Sequence, residues 1–131
     1  MDQDKVERAK RLLEAVGSED YETAMELVHP QVELVPPGSQ APLIGATRFR
    51  RWLEPDAFAR QDISPLEWVV GESGRLLSRQ HIKARGSGSG IELELVSFTV
   101  WTFDDAGLVT RIEIFLPHEE ESARAAAGLR E

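Results

Sequence analysis

The sequence predicts a single α+β domain in which a curved antiparallel sheet packs on N-terminal helices. Two observations predict this class. Apolar residues recur at three- and four-residue spacing before residue 54, which is typical of helices. From residue 62 onward, long runs rich in β-branched and aromatic residues alternate with short breaks that contain glycine, serine and aspartate. A chain of 131 residues has the size of one domain, spanning residues 1–131.

Three helices are predicted before the main sheet. The first runs from about Asp4 to Val16, and Gly17 suits the left-handed residue that ends a helix. Ser18 is expected to cap the second helix and Pro30 to end it. A short strand at 31–35 follows. The third helix is marked by three apolar residues: Phe49, Trp52 and Leu53.

Four longer strands are predicted next: Leu66–Glu72, Leu76–Arg85, Ile91–Phe103 and Leu108–Leu116. Their connections are short, so sequence neighbours are expected to pair as antiparallel hairpins. The glycine-serine turn at 86–90 is not followed by a helix that could hold an anion, so it does not indicate a phosphate site. A short Ala-rich helix, Glu119 to Leu129, is expected at the end of the chain.

Composition excludes several classes of function. A net charge of −8 argues against nucleic-acid binding, and the absence of cysteine excludes thiolate chemistry and disulfides. His29, His81 and His118 show no ligand spacing, so no metal or other cofactor is expected. The N-terminus lacks an apolar secretory core, and the uncharged, largely apolar run at 95–103 is too short to cross a bilayer. We therefore expect a cytoplasmic protein without membrane or nucleic-acid partners.

Several segments carry a family resemblance through their order and spacing: 27–33 (LVHPQVE), Gly45 with Phe49 and Trp52, 100–103 (VWTF) leading into 107–111 (GLVTR), and 123–129. Together they resemble the SnoaL-like and ketosteroid-isomerase-like branch of the nuclear transport factor 2-like superfamily, which includes polyketide cyclase-like proteins. The resemblance implies a cone-shaped, cystatin-like α+β barrel, commonly a homodimer, with a pocket between the helices and the concave face of the sheet. The family includes isomerases, cyclases, epoxide hydrolases and non-catalytic members, so fold alone does not assign a function.

Turn geometry predicts which side chains face that pocket. Pairing Arg85 with Ile91 and Phe103 with Leu108 places alternate residues of three strands on the concave face. These are Leu77, Arg79, His81, Leu95, Ser97, Thr99, Trp101, Ile112 and Ile114. The predicted ligand-binding residues are Leu77, Ser97, Thr99, Trp101, Ile112 and Ile114 of this face, together with Trp52, Trp68, Phe49 and Val35. The convex face is expected to form the homodimer interface. It carries Gln80, Glu94, Val96, Phe98, Arg111, Glu113 and Phe115.

Glu33, Arg79 and His81 are the candidate catalytic residues. A histidine exchanges protons near neutral pH, a carboxylate can orient it or act as base, and a guanidinium can stabilise an oxyanion. The limonene-epoxide-hydrolase branch resembles this chain at its Arg-x-Asp strand, where Arg79 matches the arginine and His81 replaces the aspartate. Its second aspartate falls at Ile114, and the steroid-isomerase aspartate base falls near Val35. This chain therefore has the arginine of the epoxide-hydrolase branch but none of the catalytic aspartates of the two branches.

Three functions stay open at this point. The leading one is a SnoaL-like protein that binds a small apolar or aromatic metabolite. In its catalytic version, the three candidate residues also give it acid–base isomerase, cyclase or hydrolase activity. The second is a ligand-binding module without chemistry. The third is a dimeric interaction domain whose pocket is filled by its own side chains. The structural alternative for the candidates is ordinary pairing, with Arg79 bound to Glu33 or Glu94 and His81 bonded to a neighbour.

Overall fold

The computed structural model describes residues 2–36, 41–53, 58–86 and 92–129. The helices are α1 (Asp2–Gly17), α2 (Tyr21–Glu26), α3 (Ala46–Leu53) and α4 (Glu120–Ala126). The strands are β1 (Val28–Val35), β2 (Leu43–Ile44), β3 (Phe58–Val70), β4 (Leu76–Gly86), β5 (Glu92–Phe103) and β6 (Val109–Phe115). Single 3-10 turns lie at Glu72–Gly74 and Pro117–Glu119. Most of the glycine-serine turn at 86–90 lies outside the described residues.

The strands form one six-stranded curved sheet in the order β2-β1-β6-β5-β4-β3. β3 to β6 form the predicted antiparallel meander. β1 joins it by pairing parallel to β6, and β2 adds a short antiparallel edge. The predicted α+β class is therefore confirmed. We call the face turned toward α1, α2 and α3 the inner face, and the opposite one the outer face.

The main core lies between the inner face and the three N-terminal helices. Leu12 of α1 and Phe49 of α3 are fully buried there, as their helical spacing predicts. The sheet contributes Leu76, Trp101 and Ile112. Burying large side chains such as these from both layers is what stabilises the packing of helices on the sheet.

The outer face is partly covered by α4, which packs on β5 and β6. A second buried cluster lies under this helix, formed by Leu77, Phe98, Val100, Ala123 and Ala127. The end of α4 is fixed to the β3–β4 connection, because the backbone N–H of Glu72 donates to Ala127 O at 3.0 Å. A Cβ on Gly71 would collide with that same carbonyl, so the close approach requires glycine.

Several predicted element boundaries are wrong. Asp20, not Ser18, caps α2, since its carboxylate accepts from the Thr23 backbone N–H at 3.3 Å. The left-handed residue after α1 is Glu19 (φ 60°) rather than Gly17. Pro30 does not end α2 but lies within β1, where the pairing with β6 is interrupted. β3 begins at Phe58, well before the predicted start at Leu66.

Candidate ligand-binding site

The β4–β5 register decides which polar side chains face inward, and the predicted register is wrong by one residue. Arg85 pairs with Glu92 instead of Ile91, so His81 lies opposite Val96 and Arg79 opposite Phe98. A shift of one residue moves every side chain of a strand to the other face. Gln80 therefore lies on the inner face, whereas Leu77, Arg79 and His81 lie on the outer face.

The β5–β6 register is shifted by two residues, which leaves the predicted faces intact. Phe103 pairs with Val109, and a bulge then brings Trp101 opposite Ile112 and Thr99 opposite Ile114. Because side chains alternate with a period of two, these residues stay on the inner face with Ser97.

A buried polar row crosses the inner face. It consists of Ser78 and Gln80 from β4, Ser97 and Thr99 from β5, and the indole nitrogen of Trp101. Its hydrogen bonds join Trp101 Nε1 to Ser78 Oγ (2.9 Å), Ser78 Oγ to Gln80 Oε1 (2.8 Å), and Gln80 Nε2 to Ser97 Oγ (2.8 Å) and Thr99 Oγ1 (2.6 Å). Burying this many polar atoms is tolerated because they bond to one another.

Apolar side chains surround the polar row. They become more exposed toward the end of β4 and the start of β5. Along β5, Ser97 is 1% exposed, Leu95 is half-buried and Leu93 is 43% exposed. Ile82 and Ile63, which are ladder partners on β4 and β3, are also half-buried. The inner face thus has a polar floor and a more open apolar end.

Two tryptophans form the aromatic wall beside the polar row. The ring centroids of Trp68 and Trp101 are 6.2 Å apart, with an interplanar angle of 40°. Trp68 is the ladder partner of Ser78 and is half-buried, so its ring bridges the polar row and the surface. Because Trp101 is only 2% exposed, Trp68 supplies the solvent-accessible part of this tilted pair.

A groove between α1 and β3 reaches this wall. Its volume is about 360 Å³, within the range of small-molecule sites. It is lined by Lys10, Leu13 and Glu14 of α1 and by Ile63, Pro65, Leu66 and Trp68 of β3. The β3 residues Pro65 and Trp68 are ladder partners of Gln80 and Ser78, so the groove lies beside the strand that carries part of the polar row, but none of the row's own side chains lines it.

The three predicted catalytic residues do not converge. Arg79 is paired with Glu67 (3.9 Å) and His81 with Glu94 (2.6 Å), both on the outer face. Glu33 lies across the sheet on β1, where its carboxylate accepts from Arg111 at 3.3 Å. The resemblance of Arg79 to the epoxide-hydrolase arginine therefore does not extend to its position, because Arg79 points away from Trp101.

The predicted ligand-binding residues divide into three groups. Those on the inner face are Trp101, Trp68, Ser97, Thr99, Ile112 and Ile114. Phe49 is buried in the core, and Trp52 on α3 is 44% exposed. Leu77 lies under α4, and Val35 alternates away from the buried Leu34, so both face outward. The ligand contacts themselves stay a prediction.

Sequence reasoning missed Ser78 and placed Gln80 on the wrong face. The signal that could have corrected it is the alternation of Arg79, His81 and Lys83, since polar side chains at every second position mark the solvent face of an antiparallel strand. Within the described ranges, no group of three or more histidine and carboxylate side chains could hold a metal ion. No helix in that part of the chain has the length and apolar character needed to cross a membrane.

The family is decided by a model of the SnoaL-like domain, which matches residues 9–112. This chain belongs to the SnoaL-like family. The match covers all the strands that form the polar row and its wall. No curated protein matches the sequence significantly.

Solved structures agree with the SnoaL-like fold. The epoxide hydrolase/cyclase-like enzyme SalBIII, studied for pyran ring formation in the polyether salinomycin, has a TM-score of 0.81 and 15% identity, covering 88% of this chain and 94% of its own. RV0760c from Mycobacterium tuberculosis, solved with estradiol-17beta-hemisuccinate, has a TM-score of 0.75 and 15% identity, and the match covers 85% of this chain and 92% of RV0760c. TerC, crystallised with polyporic acid, has a TM-score of 0.74 and 19% identity, and the match covers 91% of this chain and 95% of TerC. At these identities, the likeness concerns the fold.

Proposed function

We propose that this SnoaL-like protein binds a small apolar or aromatic metabolite between its N-terminal helices and the inner face of its sheet. The observation that carries the proposal is the polar row beneath the tryptophan wall. It places a few polar atoms in an otherwise apolar inner face, one strand away from the groove between α1 and β3, and a mostly apolar lining with a few polar groups is the usual composition of a small-molecule site. The ligand complexes of RV0760c and TerC support such a use of this fold.

The same geometry favours binding without acid–base chemistry by the three candidate residues. The buried polar side chains of the described chain are Ser78, Gln80, Ser97 and Thr99, and none of them is a histidine or a carboxylate. A general base must come within hydrogen-bond reach of the proton that it removes. His81 and Glu33 cannot do so for a ligand on the inner face, because both lie on the opposite side of the sheet.

A homodimer through the outer face is the second part of the proposal. Beyond α4, this face carries the half-buried Val96 and a charged group in which Arg111 lies 3.3 Å from both Glu33 and Glu113. A mixture of apolar and paired charged side chains suits a subunit interface. A cytoplasmic location is part of the same proposal and is consistent with the absence of cysteine.

Native mass spectrometry of gently purified protein tests both parts. We expect a species near twice 14.6 kDa that carries an additional small-molecule mass, and the added mass should disappear on denaturation. A protein that shows no added mass, even after incubation with a panel of flat aromatic compounds, would contradict the binding function. A monomer at micromolar concentration would contradict the dimer and leave the binding function standing.

A further inference from the structure

Two acidic side chains of α2 point away from the core. Glu22 and Glu26 lie one helical turn apart, and both are exposed. Ala24, which is two residues from each of them, is buried in the main core, so the two carboxylates lie on the opposite, outward face of α2. Neither carboxylate forms an ion pair or accepts a hydrogen bond from another residue that the structure describes. We call this pair the acidic stripe.

Two arginines of α3 also point outward. Phe49 is the buried residue that orients this helix. Successive residues turn by about 100° around a helix, so Arg51 lies opposite Phe49 and Arg48 lies on one flank. Both arginines are exposed, and neither pairs with an anionic group inside the described ranges. We call Arg48 and Arg51 the basic stripe.

The two stripes run side by side on the outside of the helical layer. α2 and α3 are in contact, and the guanidinium carbon of Arg50 lies 5.5 Å from the ring centroid of Tyr21 on α2. Arg50 occupies the flank of α3 opposite to Arg48, because these two residues lie on either side of Phe49. The contact between Tyr21 and Arg50 therefore forms a seam, with the acidic stripe on one side and the basic stripe on the other.

We infer that this surface is a second self-association interface, and that its occupant is another copy of the same chain. A two-fold axis along the seam brings the acidic stripe of each copy onto the basic stripe of the other, as a self-complementary patch requires. Guanidinium groups and carboxylates then meet in both halves of the contact, and their geometries match. The inference goes beyond the proposed function, because α2 and α3 lie on the side of the sheet away from the outer-face dimer.

The composition of the surface favours a second copy over other anionic partners. Trp52 follows Arg48 by four residues, shares its flank of α3 and is 44% exposed. Arginine and tryptophan are the residue types enriched in protein–protein interfaces. A nucleic acid or an anionic membrane presents extended negative charge, which would also face the acidic stripe of a chain whose net charge is −8. A second copy instead offers both charges in the matching arrangement.

Sedimentation velocity between about 1 and 200 µM protein at about 0.1 M salt measures this association. We expect the mass of the wild type to double over this range, since a small contact of this kind is weak. Two double variants reverse one stripe each: Arg48→Glu with Arg51→Glu, and Glu22→Arg with Glu26→Arg. Each should weaken the association at least tenfold, because attractive contacts become like-charge contacts.

The second double variant separates charge complementarity from net charge. Reversing the acidic stripe changes the net charge from −8 to −4, so reduced overall repulsion alone would strengthen the association. Complementarity predicts the opposite. It also predicts that the variant with all four substitutions, which keeps the net charge of −8, associates like the wild type. An equimolar mixture of the two double variants should form mixed assemblies, because each then meets a stripe of opposite charge.

Three outcomes would overturn the inference: a wild-type mass that is constant over the concentration range, tighter association after reversal of the acidic stripe, or no recovery in either the fourfold variant or the mixture. Circular dichroism melts establish which variants are folded, and the wild-type series decides the question even if one variant is not. Failure of the outer-face dimer is distinguishable, because the mass then starts from a monomer and still doubles.

Discussion

Trp101→Ala is expected to lower the free energy of unfolding by about 3–5 kcal/mol, the range for deleting a large buried aromatic side chain. Trp101 is 2% exposed and belongs to the main core. The substitution leaves a cavity beside Trp68 and removes the indole N–H that donates to Ser78 at 2.9 Å. Because small domains are stable by only about 5–15 kcal/mol, this is a large share of the total.

Urea unfolding followed by far-ultraviolet circular dichroism measures this effect without relying on tryptophan emission. Trp52→Ala is the matched control, because that side chain is 44% exposed on α3. Its expected change is about 0.5 kcal/mol, as for other surface substitutions. Equal losses in the two variants would contradict the inner placement of Trp101.

Leu95→Trp is expected to weaken the binding of a flat aromatic probe, 9-fluorenone, at least tenfold, which corresponds to about 1.4 kcal/mol. Leu95 lies on the inner face between the polar floor at Ser97 and the open end at Leu93. A larger side chain there fills the more open, apolar end of the inner face, so a ligand bound in the proposed site loses apolar contacts. The dissociation constant from calorimetry measures the change.

The neighbouring residue supplies the control for this prediction. Val96 has a similar size, is also half-buried, and lies on the outer face opposite His81. Val96→Trp should therefore leave the dissociation constant within about twofold of the wild-type value, although it can alter subunit association. If Val96→Trp weakens binding and Leu95→Trp does not, the ligand lies on the outer face and the proposed site is wrong.

The fold class followed from local patterns that tertiary structure does not override. The helical spacing of Leu12 and the apolar residues around it predicts α1, and short glycine-containing connections predict the meander. The boundaries of the helices and strands were harder to predict, because several residue types occur in more than one kind of local structure. Pro30 breaks a helix but is also tolerated at an irregular position of a strand, which is where it lies in β1.

The candidate site could be predicted only in part, since it depends on strand register. Ser97, Thr99 and Trp101 lie on the predicted face because the error in the β5–β6 register was two residues. The error in the β4–β5 register was one residue, which exchanged Arg79 and His81 for Ser78 and Gln80. A turn whose length is ambiguous cannot fix a register, whereas the alternating charges on β4 carry that information.

The central claim, that a ligand binds over the polar row beside the tryptophan wall, is tested most directly by the indole N–H signals in a ¹⁵N–¹H NMR spectrum. The chain has three tryptophans, so three signals are expected, each assigned by a Trp→Phe substitution. On addition of 9-fluorenone, we predict that the signals of Trp101 and Trp68 shift while that of Trp52 stays in place. A shift confined to Trp52, or no shift at saturating fluorenone, would contradict the account.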